Sequence, residues 1–227
     1  MSVDGKIADR NRAPARFGSR VDRIHLETQI AQADGVLFGA ETLRTYGTSL
    51  RVRQPELLEQ RQQSGRSPQP VNIVCSASAN LSDQLPFFRQ PLPRWLLTTP
   101  TGARTWTGIE GFDRILFSQN FSQAIDWADA LSQMWSLGLE KLAVLGGGEL
   151  VASLLAVGLV DEFWLTLCPL ILGGANAPSL VSGEGFPEVL APRLELLEMH
   201  PIGQEVFLHY RVIGKTEAAT RSGQMQP

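Results

Sequence analysis

The chain has 227 residues, 43% of them hydrophobic and 19% charged, with a formal net charge of −3 at pH 7. This is ordinary globular material, long enough to bury a sizeable core, and its charge gives no overall attraction to nucleic acid or an anionic membrane. No run approaches the ~18 apolar residues of a membrane span and no apolar signal core follows Met1, so a cytoplasmic protein with no membrane or nucleic-acid partner is expected.

Residues 1–8 read as the tail of a strand entering a turn at Asp4-Gly5, and 9–20 as a polar loop. Apolar positions Val21, Ile24, Thr28 and Ala31 recur at helical spacing, which predicts a helix over 20–33 with Ser19 as its cap. A short buried strand, Gly35 to Phe38, ends at Gly39, and a second helix covers 40–46. Residues 51–70 are a polar, Pro-containing excursion, partly helical over 55–62. Short apolar runs bounded by Pro, Ser, Thr or Gly predict strands at 71–76, 94–99 and 113–117. A helix over 122–137 presents Ile125, Ala128, Leu131 and Trp135 on one face. Then come a strand at 141–145, a turn at 146–148, a helix at 149–157 and a strand at 161–168. Residues 193–200 and 204–212 form a closing hairpin. The alternation predicts an α/β fold: a mostly parallel sheet with helices on its faces and an antiparallel pair at its edge. One domain over 1–213 is expected, followed by a polar, frayed tail over 214–227.

Cys75 and Cys168 lie in apolar runs and read as buried, reduced thiols. His25, His200 and His209 have no metal-ligand spacing, so no metal is expected. The strongest chemical signal is the strand–Gly146-Gly147-Gly148–helix unit. Glycines let backbone N–H groups approach a phosphate closely, and the helix that follows adds its positive end. Ser153, one turn in, is read as facing inward. Three glycines alone fit a tight turn without ligand equally well. The pattern is not the Rossmann fingerprint, because the third glycine falls at Val151 and no acid ends the next strand.

A second such turn, Gly39-Ala40-Glu41-Thr42, follows the strand at 35–38. Two such turns can flank one extended ligand at the C-terminal edge of a parallel sheet. Arg51 and Arg53 fall on one side of an extended segment and suit bidentate phosphate binding, although a solvated loop face is the plainer reading. Asp161-Glu162 offers a carboxylate pair, more simply read as a cap or ion-pair partner.

Several stretches together resemble one family: Met1-Ser-Val-Asp-Gly-Lys-Ile-Ala, Ala33-Asp-Gly-Val-Leu-Phe-Gly-Ala-Glu-Thr, Val144-Leu-Gly-Gly-Gly-Glu-Leu, Gly158-Leu-Val-Asp-Glu-Phe and Pro169-Leu-Ile-Leu-Gly-Gly. The chain resembles the reductase of bacterial riboflavin biosynthesis, the C-terminal half of the bifunctional deaminase–reductase, which has stand-alone archaeal relatives. The resemblance implies a dihydrofolate-reductase-like fold, commonly dimeric. It implies NADPH-dependent reduction of the ribosyl group of a 5-amino-6-(5-phosphoribosylamino)uracil-type pyrimidine to ribityl, with hydride delivered to the sugar C1′. By position Thr42, Ser76 and the turn and helix Gly147, Gly148, Glu149, Leu150, Val151 and Ala152 resemble cofactor contacts, joined by Gly39 and Gly146 of the two turns. Leu50 and Arg53, with Ser19, resemble substrate contacts, and Arg53 is the natural phosphate partner. No side chain is assigned to proton chemistry.

Three departures bear on the expectation. Tyr46 and Leu145 stand where the family has acids on its substrate side. The chain also starts at Met1 inside the first motif, where the family has a preceding strand, and a misplaced start is expected. A reductase of the same fold acting on a pterin-like substrate, or a non-catalytic dinucleotide-binding paralogue, are the alternatives these departures motivate.

Overall fold

The structure is a computed structural model that describes residues 1–117 and 124–213. The chain divides into two compact units, Ser19–Gly147, and Met1–Gly18 with Gly148–Pro227. The expected tail over 214–227 and the expected helix start at Ser122 lie outside the described residues.

In the unit Ser19–Gly147, five parallel strands lie in the order β4-β3-β2-β1-β5. They are β1 (Gly35–Gly39), β2 (Val71–Cys75), β3 (Arg94–Thr98), β4 (Arg114–Phe117) and β5 (Leu142–Val144). Val36, Leu37 and Phe38 of β1 are each at most 2% exposed, as a strand covered on both faces requires. β1 lies between β2 and β5, with Gly39 opposite Cys75 and Leu37 opposite Val144. The core of this unit gathers Phe38, Val74, Leu96, Phe87 and Trp106.

Helix α1 (Arg20–Ala31) begins where expected, with the Ser19 hydroxyl accepting from the Val21 and Asp22 N–H groups. Its buried residues are Ile30 and Ala31, whereas Val21 and Ile24 of the expected stripe are exposed. Helix α2 (Ala40–Tyr46) starts on Gly39, and α3 (Pro55–Gln63) has Pro at its first position. Helix α4 (Pro100–Thr105) is six residues long, too short to leave a periodic signal. Helix α5 (Trp127–Ser136) buries Ala130 and Met134, while Trp135 is 64% exposed, so the expected face is rotated. Arg61 of α3 is 3% exposed and donates to the Ala31 and Ala33 carbonyls and, through Nε, to the Ser67 carbonyl, closing the end of α1.

The other unit holds α6 (Gly148–Ala156) and a separate three-stranded antiparallel sheet in the order β6-β8-β7. Its strands are β6 (Glu162–Leu167), β7 (Arg193–Ile202) and β8 (Glu205–Ile213). The expected hairpin is present, but β6 pairs antiparallel with β8 and shares a sheet with the hairpin. Met1 and Ser2 run beside the end of β6: the Met1 amino group donates to the Thr166 carbonyl at 2.6 Å, and Ser2 bridges Cys168 in parallel. Leu194, Leu196 and Met199 of β7, opposite Val212, Tyr210 and Leu208, share one sheet face and are 43–57% exposed.

Candidate functional site

The order β2-β1-β5 sets the C-terminal ends of three strands side by side, and each end carries residues singled out in the sequence. β1 ends at Gly39, β2 runs into Ser76, and β5 runs into Leu145-Gly146-Gly147. The two glycine turns are joined directly, since the Gly39 N–H donates to the Gly146 carbonyl at 2.9 Å. One residue earlier the Leu145 N–H donates to Leu37 O at 2.9 Å, so the register of the sheet continues into the turn.

Gly146 has φ +90°, a conformation that strongly favours glycine, and the Gly146–Gly147 peptide is cis. A Cβ on Gly39 would lie 3.6 Å from the Gly147 nitrogen, and a Cβ on Gly147 would lie 3.7 Å from the Thr42 hydroxyl oxygen. Gly39, Thr42, Gly146 and Gly147 therefore meet at one place. The Thr42 hydroxyl makes no side-chain hydrogen bond among the described residues. Bare backbone beside a free hydroxyl suits a phosphate-bearing ligand such as a dinucleotide.

Ser76 is 8% exposed at the same edge, but its hydroxyl accepts the Ala79 N–H at 3.1 Å and shapes its own loop. That loop is tied elsewhere too. Thr99 donates to Ala77 O at 2.8 Å, Trp106 Nε1 to Ala79 O at 2.8 Å, and Arg44 to Asn80 O at 2.7 Å.

The remaining cofactor candidates begin α6 and belong to the other unit. Gly148 is packed tightly: a Cβ there would come within 2.5 Å of both the Ser179 carbonyl and the Ser182 hydroxyl. Leu150 and Val151 bury their side chains, Glu149 is exposed and Ala152 half-buried, so the first turn presents mainly backbone. The Ser153 hydroxyl donates to Leu150 O at 2.8 Å within the helix.

The substrate candidates lie in the unit Ser19–Gly147. The Ser19 hydroxyl caps α1. Leu50 is 46% exposed, and Arg53 is exposed. The backbone N–H groups of Arg53 and Gln54 both donate to Glu27 Oε1 on α1, at 2.5 and 2.7 Å. Glu27 was not singled out in the sequence, because it acts across 26 residues and nothing local marks it. Leu145 packs against the core cluster, and Tyr46 is 46% exposed.

Asp4, from the first motif, accepts the Leu172 and Gly173 N–H groups at 3.1 and 2.7 Å, which joins that motif to the Pro169–Gly174 stretch. Its carboxyl is lowered to about 2, first by the Ser2 side chain and then by these two N–H groups. Of the carboxylate pair, Glu162 meets His209 Nε2 at 3.0 Å, and that ring stacks on Trp164. Both cysteines are free thiols, and burial pushes Cys75 up to about 12. Among the described residues no helix is long and apolar enough to cross a membrane.

The 2,5-diamino-6-ribosylamino-4(3H)-pyrimidinone 5′-phosphate reductase of Archaeoglobus fulgidus is 27% identical over 195 residues, covering 82% of this chain and 84% of that protein. The protein of the same name from Methanothermobacter thermautotrophicus is 27% identical over 216 residues, covering 94% and 95%. Among solved structures, a pyrimidine reductase-like protein from Corynebacterium diphtheriae has the same fold, with TM-score 0.78 at 21% identity over 94% of this chain and 89% of that one. A family model described as the RibD C-terminal domain matches residues 1–208, and the chain therefore belongs to the RibD C-terminal domain family.

Proposed function

We propose that this chain is an NADPH-dependent reductase of riboflavin biosynthesis that converts the ribosyl group of a 5-amino-6-(5-phosphoribosylamino)uracil-type pyrimidine to ribityl. The observation that carries the reading is the junction of the two glycine turns, where Gly39, Gly146 and Gly147 leave backbone bare beside the Thr42 hydroxyl. NADPH, when bound, would supply a hydride to the sugar C1′ as the ring C1′–O4′ bond opens, with O4′ taking a proton from solvent and the cofactor leaving as NADP+. The chain's task is to hold donor and acceptor in contact while excluding water, which needs few side chains in proton chemistry. Gly39, Gly146 and Gly147 accept the cofactor phosphates against backbone, Thr42 donates its hydroxyl, and the first-turn N–H groups of α6 follow directly in the chain. Ser76 shapes the neighbouring loop. Leu50 and Arg53 meet the substrate, with Arg53 at its phosphate and Ser19 nearby.

The relatives at 27% identity are named for the 2,5-diamino pyrimidinone, so that compound is the second pyrimidine to assay. The protein acts in the cytoplasm as a homodimer, and the exposed apolar residues Leu194, Leu196 and Met199 of β7 support a self-associating surface. Tyr46 and Leu145, in place of the family's acids, favour as a second reading a reductase with a pterin-like substrate. Steady-state oxidation of NADPH and NADH with each pyrimidine separates these readings. Turnover with a pyrimidine and NADPH is expected. Micromolar NADPH binding without turnover of either pyrimidine would shift the assignment to another substrate, and failure to bind NADPH would remove the cofactor site.

A further inference from the structure

Helices α1 and α3 both end at the edge of the parallel sheet where β1 and β5 begin, which is the edge opposite the glycine turns. Gly39 lies roughly 13 Å from Gly35 along β1 at the usual strand rise. An open cleft of about 280 Å³ lies at this edge. Arg61, Arg66 and Lys141 line it together with Gln32 and Gln60, and no carboxylate is among its lining residues. Three cations on one cleft reverse the local balance in a chain whose formal charge is −3.

Helix ends present carbonyl oxygens with partial negative charge, and part of each cation answers them. Arg61 gives Nε to the Ser67 carbonyl and Nη1 to those of Ala31 and Ala33. Arg66 gives Nη1 to the Gln32 carbonyl at 2.6 Å, and Lys141 Nζ donates to the Gln32 side-chain oxygen at 3.3 Å. Asp34 is the carboxylate beside them. Its Oδ1 is 3.6 Å from Arg66 Nε, and its Oδ2 is committed to the Glu140 and Lys141 N–H groups at 3.0 and 2.9 Å. One carboxylate offsets one of three positive charges.

Donors are left over. Arg61 Nη2 and Arg66 Nη2 make no hydrogen bond among the described residues. Arg61 is 3% exposed, yet its Nη2 is not sealed from the cleft that it lines. Burial, and then the charge of Arg66, draws the Arg61 guanidinium below its ordinary value, with Asp34 opposing. An anion in the cleft would relieve that repulsion. Guanidinium groups present N–H pairs that fit two phosphate oxygens, and an ammonium adds a movable point charge.

We infer that this cleft is a binding site for a phosphate group, held by Arg61 Nη2, Arg66 and Lys141 and separate from the junction of the glycine turns. It is equally separate from Arg51 and Arg53, which precede the other end of α3. The inference does not depend on which substrate the chain reduces. The phosphate group belongs to a small phosphomonoester or to free inorganic phosphate.

The test titrates the full chain with inorganic phosphate and with methyl phosphate by calorimetry, chloride keeping the ionic strength constant. Arg66→Gln and Lys141→Gln are each expected to weaken phosphate by about tenfold, the effect of one charge-assisted hydrogen bond. Arg66→Lys recovers part of the loss. Arg53→Ala and Gly147→Asp, away from the cleft, retain wild-type phosphate affinity, and the two cleft variants retain the wild-type NADPH Kd. Millimolar phosphate raises the wild-type melting temperature above that in matched chloride, and both cleft variants lose the rise.

Arg66 and Lys141 are partly exposed, so their variants are expected to fold; Arg61, buried against three carbonyls, is left intact. Cations that only cap the helix ends predict a lower melting temperature in Arg66→Gln and no phosphate effect on the wild type, which would overturn the site. Unaltered phosphate affinity in both folded variants overturns it too, as does the absence of phosphate binding by the wild type at millimolar concentration. Methyl phosphate binding at least as tightly as phosphate supports the site and identifies a phosphomonoester as its occupant. Binding of inorganic phosphate alone supports the site with free phosphate as the occupant.

Discussion

Gly147 and Gly148 are adjacent but differ in their tolerance of a side chain. A Cβ on Gly147 meets only the Thr42 hydroxyl, at 3.7 Å, whereas one on Gly148 meets a carbonyl and a hydroxyl at 2.5 Å. Gly147→Asp is therefore expected to leave urea unfolding near wild type while abolishing NADPH binding, because its carboxylate would face the cofactor phosphates. Gly148→Ala is expected to lower stability by ~1–3 kcal/mol, the usual cost of forcing atoms into a packed site. A Gly147→Asp protein that binds NADPH normally would remove the turn from the site. Asp4 makes a pH prediction. Its folded pKa, about 2, lies below the ordinary 3.8, so its contribution is present above pH 3.8 and disappears as pH falls toward 2. The melting temperatures of wild type and Asp4→Asn should differ at pH 5 and converge on approaching pH 2. At this scale the sequence displayed the glycines, Thr42 and Arg53 but not Glu27. A carboxylate whose partners are backbone N–H groups 26 and 27 residues away has no local signature.

Elements were more legible than the faces they bury. Ser19, Gly39 and Pro55 mark the starts of α1, α2 and α3 through local chemistry, a capping hydroxyl, a non-helical glycine and a proline that needs no N–H partner. Ser19→Ala is accordingly expected to destabilise the protein by about 1 kcal/mol, checked by thermal melts. If Ser19 also meets substrate, KM rises in the same variant, whereas a cap alone leaves KM unchanged. The buried faces of α1 and α5 were not legible. Periodicity identifies a helix, but which stripe is covered depends on what packs there: Ile30 and Ala31 in α1, Ala130 and Met134 in α5. The exposed Trp135 shows that an apolar residue at the right spacing is no guarantee of burial.

For the whole molecule, the homodimer is the testable consequence. Sedimentation equilibrium is expected to give a dimer for the wild type. Leu196→Glu, which places a charge on the exposed apolar face of β7, is expected to shift it toward monomer while NADPH binding persists. A monomeric wild type, or a Leu196→Glu protein that stays fully dimeric, would remove that face from the interface. The sequence by itself determined the kinds and order of most elements and the two glycine turns, because hydrophobic period and turn chemistry act over a few residues. It also carried the family, through motifs spread along the chain. Only the tertiary structure decided that β6 pairs antiparallel with β8, that the Gly39 and Gly146 turns are joined, and that Asp4 closes on Leu172 and Gly173. Pairing direction and hydrogen-bond satisfaction depend on neighbours distant in sequence.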